Sequence, residues 1–252
     1  MPEITSVGAS CFSGCTSLST ISLPKVTSFG NNAFLGCTSL AEVSATLLTS
    51  IGQNCFQNCT AIENVSLQSL TSIGNAAFKG CTSLTSISLP AASSIGTNSF
   101  EGDIALVNIS LPSATSASSY AFYNCSSLKN ASFSIATSVG GSCFMNCSDL
   151  ESISLPLVTS IGTYAFTNCT SLETISLPSA TSINNNAFRN CGSLTAVILG
   201  NTEQVATVSN ISAWESSPNI IFYVPDALIN DYKAADNWKY IPDRIKGISE
   251  LP

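Results

Sequence analysis

The stretch Leu70–Pro90 reads L-T-S-I-G-N-A-A-F-K-G-C-T-S-L-T-S-I-S-L-P, and it decides the fold. Its aromatic residue belongs to a series. Phe12, Phe34, Phe56, Phe78, Phe100, Phe122, Phe144, Phe166 and Phe188 follow one another every 22 residues, nine copies with no insertion or deletion. A constant period of this length makes each copy one coil of a solenoid that stacks on its neighbours.

Each coil can be parsed physically. Leu84-x-x-Ile87-x-Leu89-Pro90 alternates apolar and polar residues, which predicts a strand with one buried face. Equivalent segments occur at Leu18/Ile21/Leu23, Leu106/Ile109/Leu111 and Leu172/Ile175/Leu177. Pro24, Pro90, Pro112, Pro156 and Pro178 end five of these strands, where a missing N–H does least harm. Identical strands one coil apart form a parallel sheet with a spacing of ~4.8 Å, so the coils span roughly 40 Å. Val26-Thr27-Ser28-Phe29-Gly30 and its copies predict a second, short extended segment. Two residues after each Phe stands only Gly or Asn: Gly14, Gly36, Asn58, Gly80, Gly102, Asn124, Asn146, Asn168 and Asn190. Those residues accept positive φ, so the site is a left-handed cap closing a short helical turn. The core of one coil is then Ala77, Phe78, Cys81, Leu84, Ile87, Leu89, Ala92 and Ile95.

Composition removes several functions. The chain has 252 residues and a formal charge of −7, too acidic for a protein that tracks phosphates along a nucleic acid. Histidine is absent, which excludes a Ser–His–Asp or Cys–His nucleophile and any His-ligated metal. No apolar run approaches the ~20 residues of a membrane span. No cofactor motif occurs, and no catalytic constellation stands out.

From residue 201 the pattern stops and the composition shifts. Residues 1–200 hold 12 charged side chains and the last 52 hold 11. The expected organisation is a solenoid over residues 1–200 with a capping segment over 201–252, since a solenoid needs its last coil covered. In that segment Ile220–Val224 reads as a strand. Asp226 is placed to cap a short helix carrying Leu228, Ile229 and Tyr232. The sequence opens part-way through a repeat at Ile4, so the first coil is expected to be covered by another chain or by more of a longer protein.

The pattern L-x-x-I-x-L-P-x-[VAL]-T-S-I-G-x-x-A-F-x-x-C-T-S-L resembles the BspA-like leucine-rich repeats of bacterial surface proteins. The tail Tyr223-Val224-Pro225-Asp226, Tyr232-Lys233-Ala234-Ala235 and Asn237-Trp238 is similar to the C-terminal close of that family. The resemblance implies a leucine-rich repeat solenoid, a right-handed superhelix of parallel sheet and short helical turns in nine coils. It implies a secreted or cell-surface location and, for some members, adhesion to host matrix proteins or other cells. It carries no catalytic motif.

Cysteine, aspartate and serine positions are the remaining candidates for chemistry. Eight cysteines sit once per coil, at Cys15, Cys37, Cys59, Cys81, Cys125, Cys147, Cys169 and Cys191, while Cys11, Cys55 and Cys143 precede the Phe. The bland reading is a ladder of buried free thiols acting as small hydrophobes. Eleven is odd, a ~4.8 Å strand spacing exceeds the ~3.8 Å that a disulfide asks of its Cβ atoms, and a linear ladder does not converge on a metal. Asp103 replaces one of these cysteines and is expected to reach solvent or backbone N–H groups. The serine repeated at Ser6, Ser28, Ser50 and onward to Ser182 is expected to satisfy turn backbone groups.

The outward strand positions remain as the candidate binding face. Glu42, Asn64, Ser66, Ser88, Asn108, Ser110, Asn130 and Ser132 are its candidate ligand-binding residues. The face is small and polar and lacks the exposed aromatic and Arg anchors of a protein–protein hot spot. Tyr120, Tyr123 and Tyr164 offer a rival aromatic patch on the turn side. The expected function is non-enzymatic recognition of a host matrix protein, a glycan or another cell surface. The alternative is a spacer or stalk with no ligand of its own.

Overall fold

The computed structural model describes residues 4–252. Each 22-residue coil gives a three-residue strand, a two-residue strand (absent only at residues 116–117) and a turn-rich segment carrying the Phe. The longer strands run from Thr20–Ser22 to Ile245–Gly247 and line one side of the solenoid as eleven parallel members. Register is exact from coil to coil: Asn108, Ile109 and Ser110 lie opposite Asn130, Ala131 and Ser132. The hydrogen-bonded ladder parts twice, between Glu42–Ser44 and Asn64–Ser66 and between Ser152–Ser154 and Thr174–Ser176. The two-residue strands form a second parallel side, from Ser6–Val7 to Thr207–Val208.

A glycine row explains how closely the short strands stack. A Cβ at Gly74 would lie 2.4 Å from the carbonyl carbon of Gly52, so the turn backbones touch there. Ser118 and Asn184 replace this glycine in two coils. At Ser118 the short sheet breaks and keeps only a single bridge, Ala117 to Val139. The Ser118 hydroxyl then donates to the Ile95 carbonyl at 2.6 Å, replacing part of the lost ladder.

The core is a column of rings. Successive Phe side chains stack nearly parallel, with centroids 5.2 Å apart at Phe12–Phe34 and 5.5 Å at Phe166–Phe188. Centroid distances in this range are typical of offset stacking. Phe133 packs edge-on against Phe122 and Phe144 at 6.0 and 5.9 Å, beside the undersized Ala131. The eight core residues expected in the coil around Phe78 are all buried. The expected left-handed caps are present at every coil, from Gly14 at φ 73° to Asn190 at φ 57°. Four consecutive caps are also linked: the Asn146 amide donates to Asn124 at 2.7 Å, Asn168 to Asn146 at 2.6 Å and Asn190 to Asn168 at 2.9 Å.

Two local expectations need correction, and a third, for Asp103, is met in one of its two forms. The hydroxyls of the Ser6-to-Ser182 row make no hydrogen bond with another described residue. The neighbouring Thr hydroxyls do that work, as Thr49 Oγ1 donates to the Thr27 carbonyl at 3.0 Å and Thr71 Oγ1 to Thr49 at 3.1 Å. Asp226 does not cap the helix Ile229–Ala234, which starts without a side-chain cap. Its carboxylate instead accepts from the Ser249 hydroxyl at 2.7 Å. Asp103 is fully buried and reaches a backbone N–H but not solvent.

The tail continues the coil geometry in new residues. Phe188 N donates to Ala213 O, as Phe166 N does to Ala187 O, so Trp214 takes the next Phe slot after a coil of 26 residues (188 to 214). Ser217 takes the Cys slot: its hydroxyl donates to Phe188 O at 2.7 Å and accepts from Cys191 N at 2.9 Å. Ile221–Val224 pairs on Ala196–Ile198, and Ile245–Gly247 pairs on Ile221–Val224. The outer edge of the short sheet meets side chains instead of another strand. Tyr232 Oη accepts from Ala206 N at 3.0 Å, Trp238 Nε1 donates to Ala206 O at 2.7 Å, and Asn237 Nδ2 donates to Val208 O at 2.7 Å. Such bonds leave that edge little to offer a further strand.

Candidate functional site

The period of two along each long strand puts one residue inward and its neighbours outward. In Asn64–Ser66 this buries Val65 and exposes Asn64 and Ser66. Glu42, Asn64, Ser66, Ser88, Asn108, Ser110 and Asn130 are exposed, and Ser132 is half-buried. The exact register aligns them in two rows along the solenoid axis.

The structure joins some of these residues and leaves others apart. Asn64 Oδ1 accepts from Ser86 Oγ at 2.6 Å, and Asn130 Nδ2 donates to Asn108 Oδ1 at 2.8 Å. Gln68 Nε2 donates to both Ser66 and Ser88 Oγ at 2.9 Å. No hydrogen bond is made by the side chains of Glu42, Ser110 or Ser132 with another described residue.

The face is not uniform. Where the ladder parts between Glu42–Ser44 and Asn64–Ser66, a groove of about 460 Å³ opens. Glu42, Ser44, Thr46, Asn64, Ser66 and Gln68 wall it with polar groups over Val43 and Ala45. Thr46 and Gln68 were not among the expected residues. A signal for them was present, because both stand where Pro24, Pro90, Pro112, Pro156 and Pro178 end their strands. Ala45 also replaces the larger Leu23 and Leu67 of the adjoining coils.

The thiols are structural. From Cys37 onward each repeated cysteine donates its S–H to the Phe carbonyl 25 residues upstream, as Cys81 Sγ does to Phe56 O at 3.2 Å and Cys125 Sγ to Phe100 O at 3.0 Å. Burial pushes these thiols away from the reactive thiolate form: desolvation raises Cys59 and Cys191 to about 12. Only Cys11 and Cys15 are exposed. No group of three or more metal-binding side chains occurs among the described residues.

Asp103 fits the same slot. Its Oδ1 accepts from Cys81 N at 2.8 Å, while Oδ2 is buried without a partner. Desolvation raises its pKa well above the usual carboxylate range, and the backbone N–H of Cys81 only partly opposes this. Burial therefore favours the protonated form of Asp103, at the position where other coils place a thiol. On the turn side Tyr120 and Tyr123 meet edge-on at 5.9 Å, and Tyr120 and Tyr164 are exposed.

Comparison with known proteins names the family. The model for the BspA-type leucine-rich repeat region matches in six copies, over residues 1–102, 49–156, 71–195 and 137–221. The chain belongs to the BspA-type leucine-rich repeat family. Among solved structures it is similar to a leucine-rich cell surface protein of Faecalibacterium prausnitzii, at 21% identity and a TM-score of 0.44, over 90% of this chain and 79% of that one. A leucine-rich repeat protein of Bacteroides ovatus matches at 23% identity and a TM-score of 0.44, over 97% and 88% of the two chains. The leucine-rich repeat protein of T. pallidum matches at 26% identity and a TM-score of 0.49, over 67% and 72%. No curated protein matches. No helix among the described residues is long and apolar enough to cross a membrane.

Proposed function

We propose that this chain is a non-enzymatic recognition module of a bacterial surface, binding protein or glycan through the outward face of its long sheet. The observation that carries the reading is the groove at the parted ladder. It is the place where an otherwise flat polar face offers a concave site, walled by Glu42, Asn64, Ser66 and Gln68. A rigid sheet holds those groups without further ordering, which lowers the entropic cost of many weak polar contacts. The rows Ser88, Asn108, Ser110, Asn130 and Ser132 extend the same surface beyond the groove. Family membership agrees with a binding or scaffold role.

The test is a combined glycan and matrix-protein array probed with the purified chain and with two variants. Asn64→Arg/Asn108→Arg places two long cations on the face, and Gln68→Arg fills the groove alone. Binding lost in both variants supports recognition at the groove. Binding lost only in the double variant moves the site along the rows. Binding untouched by either variant overturns the reading, and silence of the wild type on every probe favours the spacer.

A further inference from the structure

A second concave site lies at the far end of the molecule, away from the long-sheet face. It is a cleft of about 530 Å³ between the turn Ile211–Trp214, with the residues after it to Pro218, and the turns Trp238–Tyr240 and Pro242–Arg244. Its volume lies within the range of small-ligand sites. Ile211 and Tyr240 are 52% and 65% exposed, so the cleft is open to solvent and its rim is apolar. Exposed large apolar side chains that line one cleft are a binding feature, unlike singly scattered ones.

Most polar groups of the cleft are already engaged; the Ser216 hydroxyl and the Arg244 guanidinium are not. The Ser212 hydroxyl bonds to the Asn210 carboxamide, and Asn210 also caps Ser212 N at 2.8 Å. The Ser217 hydroxyl is consumed by Phe188 O and Cys191 N. The Glu215 carboxylate faces Arg189 Nε at 3.4 Å. The guanidinium of Arg244, by contrast, is half-buried and makes no ion pair or hydrogen bond with any described residue. With Glu215 neutralised by Arg189, Arg244 leaves the cleft with one uncompensated positive charge. A guanidinium presents a planar fork that fits a carboxylate through two parallel bonds. The whole chain carries −7, so an anion is attracted only at such a local site.

From this geometry we infer that the cleft binds the carboxy-terminal residue of a peptide that ends in a large apolar side chain, the carboxylate on Arg244 and the side chain between Ile211 and Tyr240. A long alkyl carboxylate would need an enclosed channel for its chain, and this cleft is open. A sugar acid would find one free hydroxyl, that of Ser216, since the Ser212, Ser217 and Glu215 side chains are engaged.

The experiment follows the fluorescence of Trp214, which lines the cleft. N-acetyl-leucyl-phenylalanine is titrated in parallel with its C-terminal amide, with acetate, octanoate and glucuronate as separate arms. The expected result is saturation by the peptide acid at least tenfold tighter than by the amide. Arg244→Gln should reduce the acid to the affinity of the amide. Tyr240→Ala, at an exposed position, should weaken acid and amide alike. Both variants should melt with the wild type, which separates lost binding from lost fold. Equal binding of acid and amide, or a preference that survives Arg244→Gln, overturns the carboxylate contact. Acetate binding as tightly as the peptide acid overturns the apolar contact. Octanoate or glucuronate binding more tightly than the peptide acid overturns the peptide as occupant. No saturation by any probe overturns the site.

Discussion

The buried carboxyl of Asp103 makes stability depend on pH in an unusual direction. The folded chain holds a proton on Asp103 that the unfolded chain releases above pH ~3.9. Desolvation raises the folded pKa well above that value. The resulting stability is complete below the unfolded pKa and is lost as pH rises toward the folded one. Within that window each pH unit removes about 1.4 kcal/mol, and two units remove about 2.7 kcal/mol. The groups facing Asp103 are the Cys81 and Cys125 thiols, both raised by burial, so neither titrates in the acid range. Urea denaturation from pH 4 to 7.5 would be compared between the wild type and Asp103→Cys, which restores the thiol ladder. The other acids are shared and cancel in the difference. The wild type should lose stability relative to Asp103→Cys as pH rises. Parallel curves for the two proteins would refute the protonated carboxyl and the hydrogen-bonding role assigned to that slot.

Phe100→Ala removes one ring from the middle of the stack and should cost about 3–5 kcal/mol in a urea melt. An unchanged melt would contradict its burial. Asn146→Ala should cost about 1–3 kcal/mol, because it removes two side-chain hydrogen bonds and forces an apolar residue to keep φ near 65°. Asn146→Gly keeps the backbone and should lose less, so equal losses would show that the dihedral matters little. Trp238→Phe leaves Ala206 O without its donor and should cost about 1–3 kcal/mol in the same assay. Amide exchange should then quicken first along Thr207–Val208, and uniform exchange would argue against an edge-terminating role.

The sequence displays what recurs. Nine identically spaced phenylalanines and a Gly-or-Asn position made the coil, the stack and the left-handed cap legible before any coordinates. A second left-handed position, two residues before each Phe, was only partly marked: Asn32, Asn54, Asn98 and Asn186 accept positive φ, but Ser10, Ala76, Tyr120, Ser142 and Tyr164 share no chemistry with them. The tail was illegible as coils for a related reason. Trp214 fills a Phe slot and Ser217 a Cys slot, and the coil length changes to 26, so geometry is kept while identity and spacing are not. The candidate face was visible from the alternation of the strands. Its groove was marked only by two successive coils losing their strand-ending Pro to Thr46 and Gln68, a signal that says nothing of a parted ladder. The cleft at Arg244 joins residues more than 20 positions apart, which no local pattern reports.

The thiol-to-carbonyl bonds give the solenoid a built-in clock for local opening. Eight of the nine repeat coils carry one repeated cysteine, and a sulfhydryl held at a neighbouring carbonyl meets a labelling reagent only when its coil lifts away. The reaction rate of each buried cysteine then reads the opening free energy of its own coil, as amide exchange does elsewhere. Stacked coils contact only their neighbours, so those rates should grade from the ends toward the centre. The first coil, with Cys11 and Cys15 already exposed, sets the fast limit. Among the nine repeat coils, the coil of Asp103, which has no sulfur, is the silent point on the scale.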